Sequence, residues 1–177
     1  IRPLVARMYA NYEENVCREI DGVISVTPII CKRFRGVNKN TELIANYPNI
    51  DSFTKPKEIE KTKNAICYIG GLSENRGVLE LVKALEYCDA ELHLAGKFET
   101  KALEEKTKSL NGWKKVHYYG QVSRQKITEI LALSNLGTVT LHPTPSYVEA
   151  YPIKLFEYMS AGIAVLASDF PLYRTLI

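Results

Sequence analysis

Two carboxylates, Glu149 and Glu157, stand eight residues apart, with Pro152 and Lys154 between them. They follow a strand-like run at 136–141 and a loop at 142–151. Pro152 suits the first position of a helix, where its fixed φ is pre-organised and its missing N–H costs nothing. This places Glu149 on the approach loop and Glu157 on the second helical turn. Between them lie the unpaired N–H groups and the positive dipole end of the helix, a setting that binds a diphosphate. Ionised carboxylates only accept hydrogen bonds, so they suit ribose and hexose hydroxyls and repel the phosphates. One phosphate site between two hydroxyl sites matches a nucleotide-diphosphosugar. The same spacing recurs at Glu91 and Glu99, and a surface Glu is ordinary. Spacing alone therefore also fits a solvated loop residue and a polar position on an amphipathic helix.

The elements that would position these groups follow from periodicity. Leu4, Met8, Tyr12 and Val16 recur at helical spacing over 3–20 and predict one buried stripe. A short strand at 23–27, a helix opened by Pro28 and a strand at 41–46 follow. Residues 51–63 are charged and proline-containing, as a linker or crossover is. Beyond them, strands at 65–69, 90–95, 116–119, 136–141 and 163–167 alternate with helices at 77–87, 99–110, 123–133 and 153–161, the third capped by Ser123. A further helix is expected from Pro171 onward. Continuous apolar strands between amphipathic helices predict an α/β fold, a Rossmann-like parallel sheet with helices on both faces. Ligands of such sheets bind at the carboxyl ends of the strands. Three of the four strand-end loops open with glycine, at Gly70, Gly96 and Gly120, either as turn chemistry or to let a ligand approach the backbone.

Composition narrows the class. The chain has 177 residues, 46% hydrophobic and 24% charged, which excludes a disordered chain and leaves room for one good core. A net charge of +3 with interspersed signs offers no basic stripe, so a nucleic-acid partner is not expected. Cys17, Cys31, Cys67 and Cys88 form no CxxC pair and read as reduced core thiols of a cytoplasmic protein. No run reaches membrane-spanning length, and peripheral association at the inner face of the membrane stays open. Asp21, Asp51, Asp89 and Asp169 make no DxD and the three histidines lack ligand spacing, so no metal is expected. His93 and His117 read as core residues, and His142 as a strand-end residue that either packs or touches a ligand. Both ends, Ile1 and Ile177, look cut.

Tyr68-Ile-Gly-Gly-Leu with Arg76-Gly77, His93-Leu-Ala-Gly96, His117-Tyr-Tyr-Gly120, and Glu149 through Glu157 followed by 158–167 occur in an order and spacing that resembles a known family. It is the donor-binding half of retaining GT-B-fold glycosyltransferases, family 4. The stretch Pro152-Ile-Lys-Leu-Phe-Glu-Tyr-Met also resembles members that build cell-surface polysaccharides and glycolipids. The resemblance implies residues 1–50 as the end of an N-terminal acceptor domain, 51–63 as linker, and 64–177 as a truncated nucleotide-sugar domain. It implies that Glu149 contacts the donor sugar, Glu157 the ribose, and Arg76 the diphosphate leaving group. Gly70, Gly71, Gly96, Val122, Tyr151 and Ile153 would line the donor site. The donor would be a UDP-sugar or GDP-sugar, the acceptor a glycan or lipid-linked sugar, and no cofactor is implied.

Two departures qualify the resemblance. The family commonly carries a second basic residue where Gly71 stands, and Lys154 or Lys97 would have to compensate. Ala150-Tyr151-Pro152 stands where many relatives carry glycines and a backbone donor. Other readings are another sugar-nucleotide enzyme of the same fold, such as a UDP-sugar 2-epimerase, or a non-catalytic nucleotide-binding module. This piece alone is expected to bind the donor and transfer little.

Overall fold

The computed structural model describes residues 3–49 and 60–177. The chain divides into two compact units, one of residues 1–46 with Glu149–Tyr151, the other of Tyr47–Val148 with Pro152–Ile177. Most of the expected linker at 51–63 lies outside the described residues.

The smaller unit holds α1 (Pro3–Glu19), β1 (Val23–Ser25), α2 (Pro28–Arg35) and β2 (Thr41–Leu43). The two strands pair in parallel, Val23 opposite Thr41. Both are shorter than the expected 23–27 and 41–46. Thr27 caps α2, accepting from the Ile30 N–H, and Pro28 sits in its first turn. The expectation of a buried stripe on α1 is corrected: Leu4, Met8, Tyr12 and Val16 are 70%, 65%, 67% and 41% exposed. Only Cys17 of this helix is buried among its described residues. The helix is held near its C-terminal end, where the Asn38 amide donates to the Cys17 and Ile20 carbonyls. Its apolar stripe therefore runs past the small core of Cys31, Phe34 and Thr41.

The larger unit is a five-stranded, all-parallel sheet in the order β5-β4-β3-β6-β7. Its strands are β3 (Ala65–Ile69), β4 (Glu91–Ala95), β5 (Val116–Gly120), β6 (Leu136–Val139) and β7 (Ala164–Ala167). Its helices are α3 (Val78–Ala84), α4 (Lys101–Lys108), α5 (Arg124–Leu133), α6 (Pro145–Val148) and α7 (Ile153–Ser160). Alternation along β3 sends Cys67 and Ile69 to one face and Tyr68 to the other. The first face packs on Ile130, Leu131, Leu155 and Tyr158, the second on Val78, Leu81, Val82 and Leu103. This is the doubly covered parallel sheet that the apolar runs predict.

Several details differ from the expectation. The helix expected at 99–110 is α4 alone, capped by Thr100. The expected 77–87 helix ends as a 3₁₀ turn at Leu85–Tyr87. The loop after β6 contains the one-turn α6, because Pro145 can open a turn there. Past Pro171 there is only a 3₁₀ turn, Tyr173–Thr175. Pro152 is the N-cap of α7 and not its first helical residue, with φ −78° and ψ 110°. Cys88 is exposed, while the other three cysteines are free and buried. His93 is buried as expected, but His117 is exposed on the neighbouring strand, where Glu91 reaches its ring at 2.9 Å.

Candidate functional site

The larger unit gathers its glycine-bearing loops at the carboxyl ends of β3, β4 and β5. Gly96 is the tightest point: a Cβ there would lie 1.7 Å from the Gly70 carbonyl oxygen, and its φ of 147° disfavours any side chain. Gly70 donates to the Ala95 carbonyl and Gly96 to that of Gly120, at 2.9 and 2.7 Å. The three loops are thus knitted into one rim. A hollow of about 310 Å³ opens on it, lined by Gly70, Gly71, Gly96, Lys97, Val122 and Lys154 among others.

α7 is brought to this rim by its own side chains. Leu155 and Tyr158 are buried under the sheet, and the Tyr158 hydroxyl accepts from the Ile69 N–H at 3.2 Å, at the end of β3. Burial pushes the Tyr158 hydroxyl well above the usual phenol range, so it stays neutral. Lys154, one turn earlier, is thereby set beside Gly70, and the N-terminus of α7 has no side-chain cap at Pro152.

Arg76 reaches the same rim at Gly70 and Gly71. It ends the 3₁₀ turn Glu74–Arg76, which is tied to the end of β6 by the Thr140 hydroxyl on the Arg76 carbonyl and the His142 N–H on the Asn75 carbonyl. The point a side chain at Gly70 would occupy is 3.4 Å from Arg76 Nη1, 3.6 Å from Lys154 Cε and 3.7 Å from the Tyr68 hydroxyl. A guanidinium, the Lys154 stem and a phenol therefore converge on one spot of bare backbone, with the Lys154 ammonium held by Glu157. At Gly71 the same point lies 3.6 Å from Arg76 Nη1, so the guanidinium lies over the place where a second basic side chain would start. Burial lowers the Arg76 pKa, but the hydroxyls of Tyr147 and Tyr68 more than offset it, leaving a firmly charged guanidinium. A second depression of about 450 Å³ runs from Arg76 along Lys97, Phe98 and Tyr147.

Glu157 is 8% exposed. Its Oε2 accepts from Lys154 Nζ at 2.7 Å, and its Oε1 lies 3.6 Å from Arg124 Nη1. A buried carboxylate requires such partners.

The structure therefore brings together Gly70, Gly71, Gly96, Val122, Arg76, Lys154 and Glu157. Ile153 is the exposed first residue of α7. Glu149, which is exposed, and Tyr151 belong to the smaller unit. His142, half-exposed, faces Glu80 at 3.1 Å. Sequence reasoning missed Arg124, Tyr68 and Tyr147. Tyr68 and Tyr147 read as core and loop aromatics, while Arg124 reads as a solvated helix-start residue.

Compared with known proteins, residues 49–177 match a family model described as glycosyl transferases group 1. No curated protein matches the chain. Among solved structures, it is similar to sucrose-phosphate synthase from Thermosynechococcus elongatus, at 22% identity and TM-score 0.70, over 93% of this chain and 45% of that one. It is similar to WaaG, a glycosyltransferase involved in lipopolysaccharide biosynthesis, at 18% identity and TM-score 0.65, over 86% and 46%. It is also similar to the catalytic domain of cholesterol-alpha-glucosyltransferase from Helicobacter pylori, at 26% identity and TM-score 0.52, over 66% and 72%. The chain spans about half the length of the first two.

Proposed function

The chain belongs to the glycosyl transferases group 1 family, and from that premise we infer that its strand-end hollow takes the nucleotide-diphosphate part of a sugar donor. The observation that carries this reading is the convergence of Arg76 and Lys154 at Gly70, beside the uncapped start of α7. Two cations and free helix N–H groups suit a diphosphate. Lys97 lines the hollow with Lys154 and the second depression with Arg76, adding positive charge to both. Glu157 serves the ribose hydroxyls, because a carboxylate only accepts. Glu149 is assigned to the hexose by the family resemblance alone.

The reaction this site serves moves a hexose from a UDP-sugar or GDP-sugar to an acceptor hydroxyl with retention of configuration. As the anomeric bond breaks, negative charge grows on the leaving diphosphate and the sugar becomes electron-poor. Arg76 and Lys154 are placed to hold that charge, a contribution of about 3 kcal/mol for a well-placed donor. The acceptor is a glycan or a lipid-linked sugar. Lipid-directed chemistry is supported by two similar structures, a glycosyltransferase involved in lipopolysaccharide biosynthesis and a cholesterol-alpha-glucosyltransferase. The chain spans about half the length of two of these structures, and donor binding is the part of the reaction that its described residues support.

Calorimetric titration with UDP, GDP and their hexose conjugates tests the reading. One saturable site is expected for one nucleotide series, and Glu157→Ala should weaken it by about tenfold or more. Affinity unchanged in that variant would remove Glu157 from the site.

A further inference from the structure

Glu157 is held by two cations that are not equivalent. Lys154 lies one turn earlier on α7, with Nζ 2.7 Å from Oε2, and its Cε is 3.6 Å from the point above Gly70 where Arg76 also converges. Arg124 opens α5 and lies 3.6 Å from Oε1; of the two cations on Glu157 it is Lys154 that lines the hollow. Lys154 therefore lies within reach of two positions for an anion, the Glu157 carboxylate that it holds and the diphosphate position proposed at Gly70.

The competition has a cost that one cation alone could not meet. If Lys154 turned to the diphosphate and Glu157 had lost its other cation, a nearly buried carboxylate would be stranded, which is strongly unfavourable. A retained guanidinium removes that penalty. It also leaves one carboxylate oxygen open to accept from a hydroxyl, as an ionised carboxylate with several lone-pair sites can do.

We propose that Arg124 is a positioning residue: it retains Glu157 through Oε1 while the diphosphate draws Lys154 away from Oε2, so that phosphate capture and exposure of the hydroxyl-accepting oxygen are one event. This rests on the diphosphate reading of the hollow. It makes Lys154 an exchanged ligand and not a fixed clamp, and it gives a chain with glycine at 71 a second phosphate cation that is parked on Glu157 until the donor arrives.

The test uses the 177-residue chain and titrates inorganic pyrophosphate and UDP separately, with GDP in place of UDP if that is the nucleotide bound. Glu157→Gln should bind pyrophosphate more tightly than the wild type, because Lys154 is released, and bind the nucleotide more weakly. A merely disrupted fold would weaken both. Arg124→Met should weaken both ligands by about tenfold, since Glu157 then competes harder for Lys154. Arg124→Lys should recover most of that loss. If Arg124→Met leaves pyrophosphate affinity unchanged, or Glu157→Gln loses it, the exchange is overturned even though the nucleotide binds. If pyrophosphate follows the expected pattern while neither UDP nor GDP binds, the exchange stands and the donor reading falls. A wild-type chain that binds none of the three overturns both.

Discussion

The two units of this chain treat apolar surface in opposite ways. In the larger unit, Leu92, Leu94, Ile130, Leu155 and Tyr158 are almost fully buried on the two faces of a five-stranded sheet. In the smaller one, Leu4, Met8, Tyr12, Ile24 and Ile44 are all more than half exposed around two parallel strands. A parallel sheet is stable when both faces are covered. The larger unit meets that condition with its own helices and can hold a rigid rim of loops. Site precision is therefore expected from the larger unit, and tolerance to substitution from the smaller.

The sharpest way to break this contrast is to delete core volume beneath the site. Leu155→Ala should cost about 2–5 kcal/mol of stability in denaturant unfolding, because Leu155 is the fully buried anchor of α7. A loss below 1 kcal/mol would show that α7 is not anchored as described. An intermediate effect is expected on acidification. Burial, then the neighbouring His117 charge, depress His93 below its ordinary value near 6.5, against the opposing influence of Glu91 and with a lesser lowering by Lys126. The folded state thus binds fewer protons than the unfolded chain. The His93 contribution is present above about pH 6.5 and is lost as the pH falls through the depressed folded value. His93→Gln should flatten the fall in thermal midpoint between pH 7 and 5, and an unaltered slope would assign the acid sensitivity elsewhere. The smallest effect belongs to the other unit: Met8→Ser should shift stability by no more than about 0.5 kcal/mol, as an exposed position does. A shift above 1.5 kcal/mol would mean that the α1 stripe is covered in solution.

Much of this contrast was legible in the residues, unevenly. The parallel sheet shows in the sequence because strands buried on both faces are continuous apolar runs, as in Ala65–Ile69 and Glu91–Ala95. The α1 stripe has the right period but reports only what the helix could bury, and burial depends on what lies opposite. His117 misled for a related reason: it sits in an apolar strand, yet that strand is an edge of the sheet, and the ring is half-exposed beside Glu91. At the site, the glycine-opened loops and Lys154 follow from local chemistry. The consequence of Gly71 does not, since it depends on Arg76 folding back over the bare backbone. The Arg124 and Glu157 contact joins residues that are distant in sequence and leaves no local pattern.

The central claim, that a diphosphate is held at Gly70 by Arg76 and Lys154, is tested most directly by titrating UDP and GDP into the wild-type chain and Arg76→Ala. Charge-assisted bonds are worth about 1.5–3 kcal/mol, so on this account the variant should bind the preferred nucleotide about 10-fold to 100-fold more weakly with its thermal midpoint preserved. Equal affinity in the two proteins would contradict the claim, as would a wild-type chain that binds neither nucleotide.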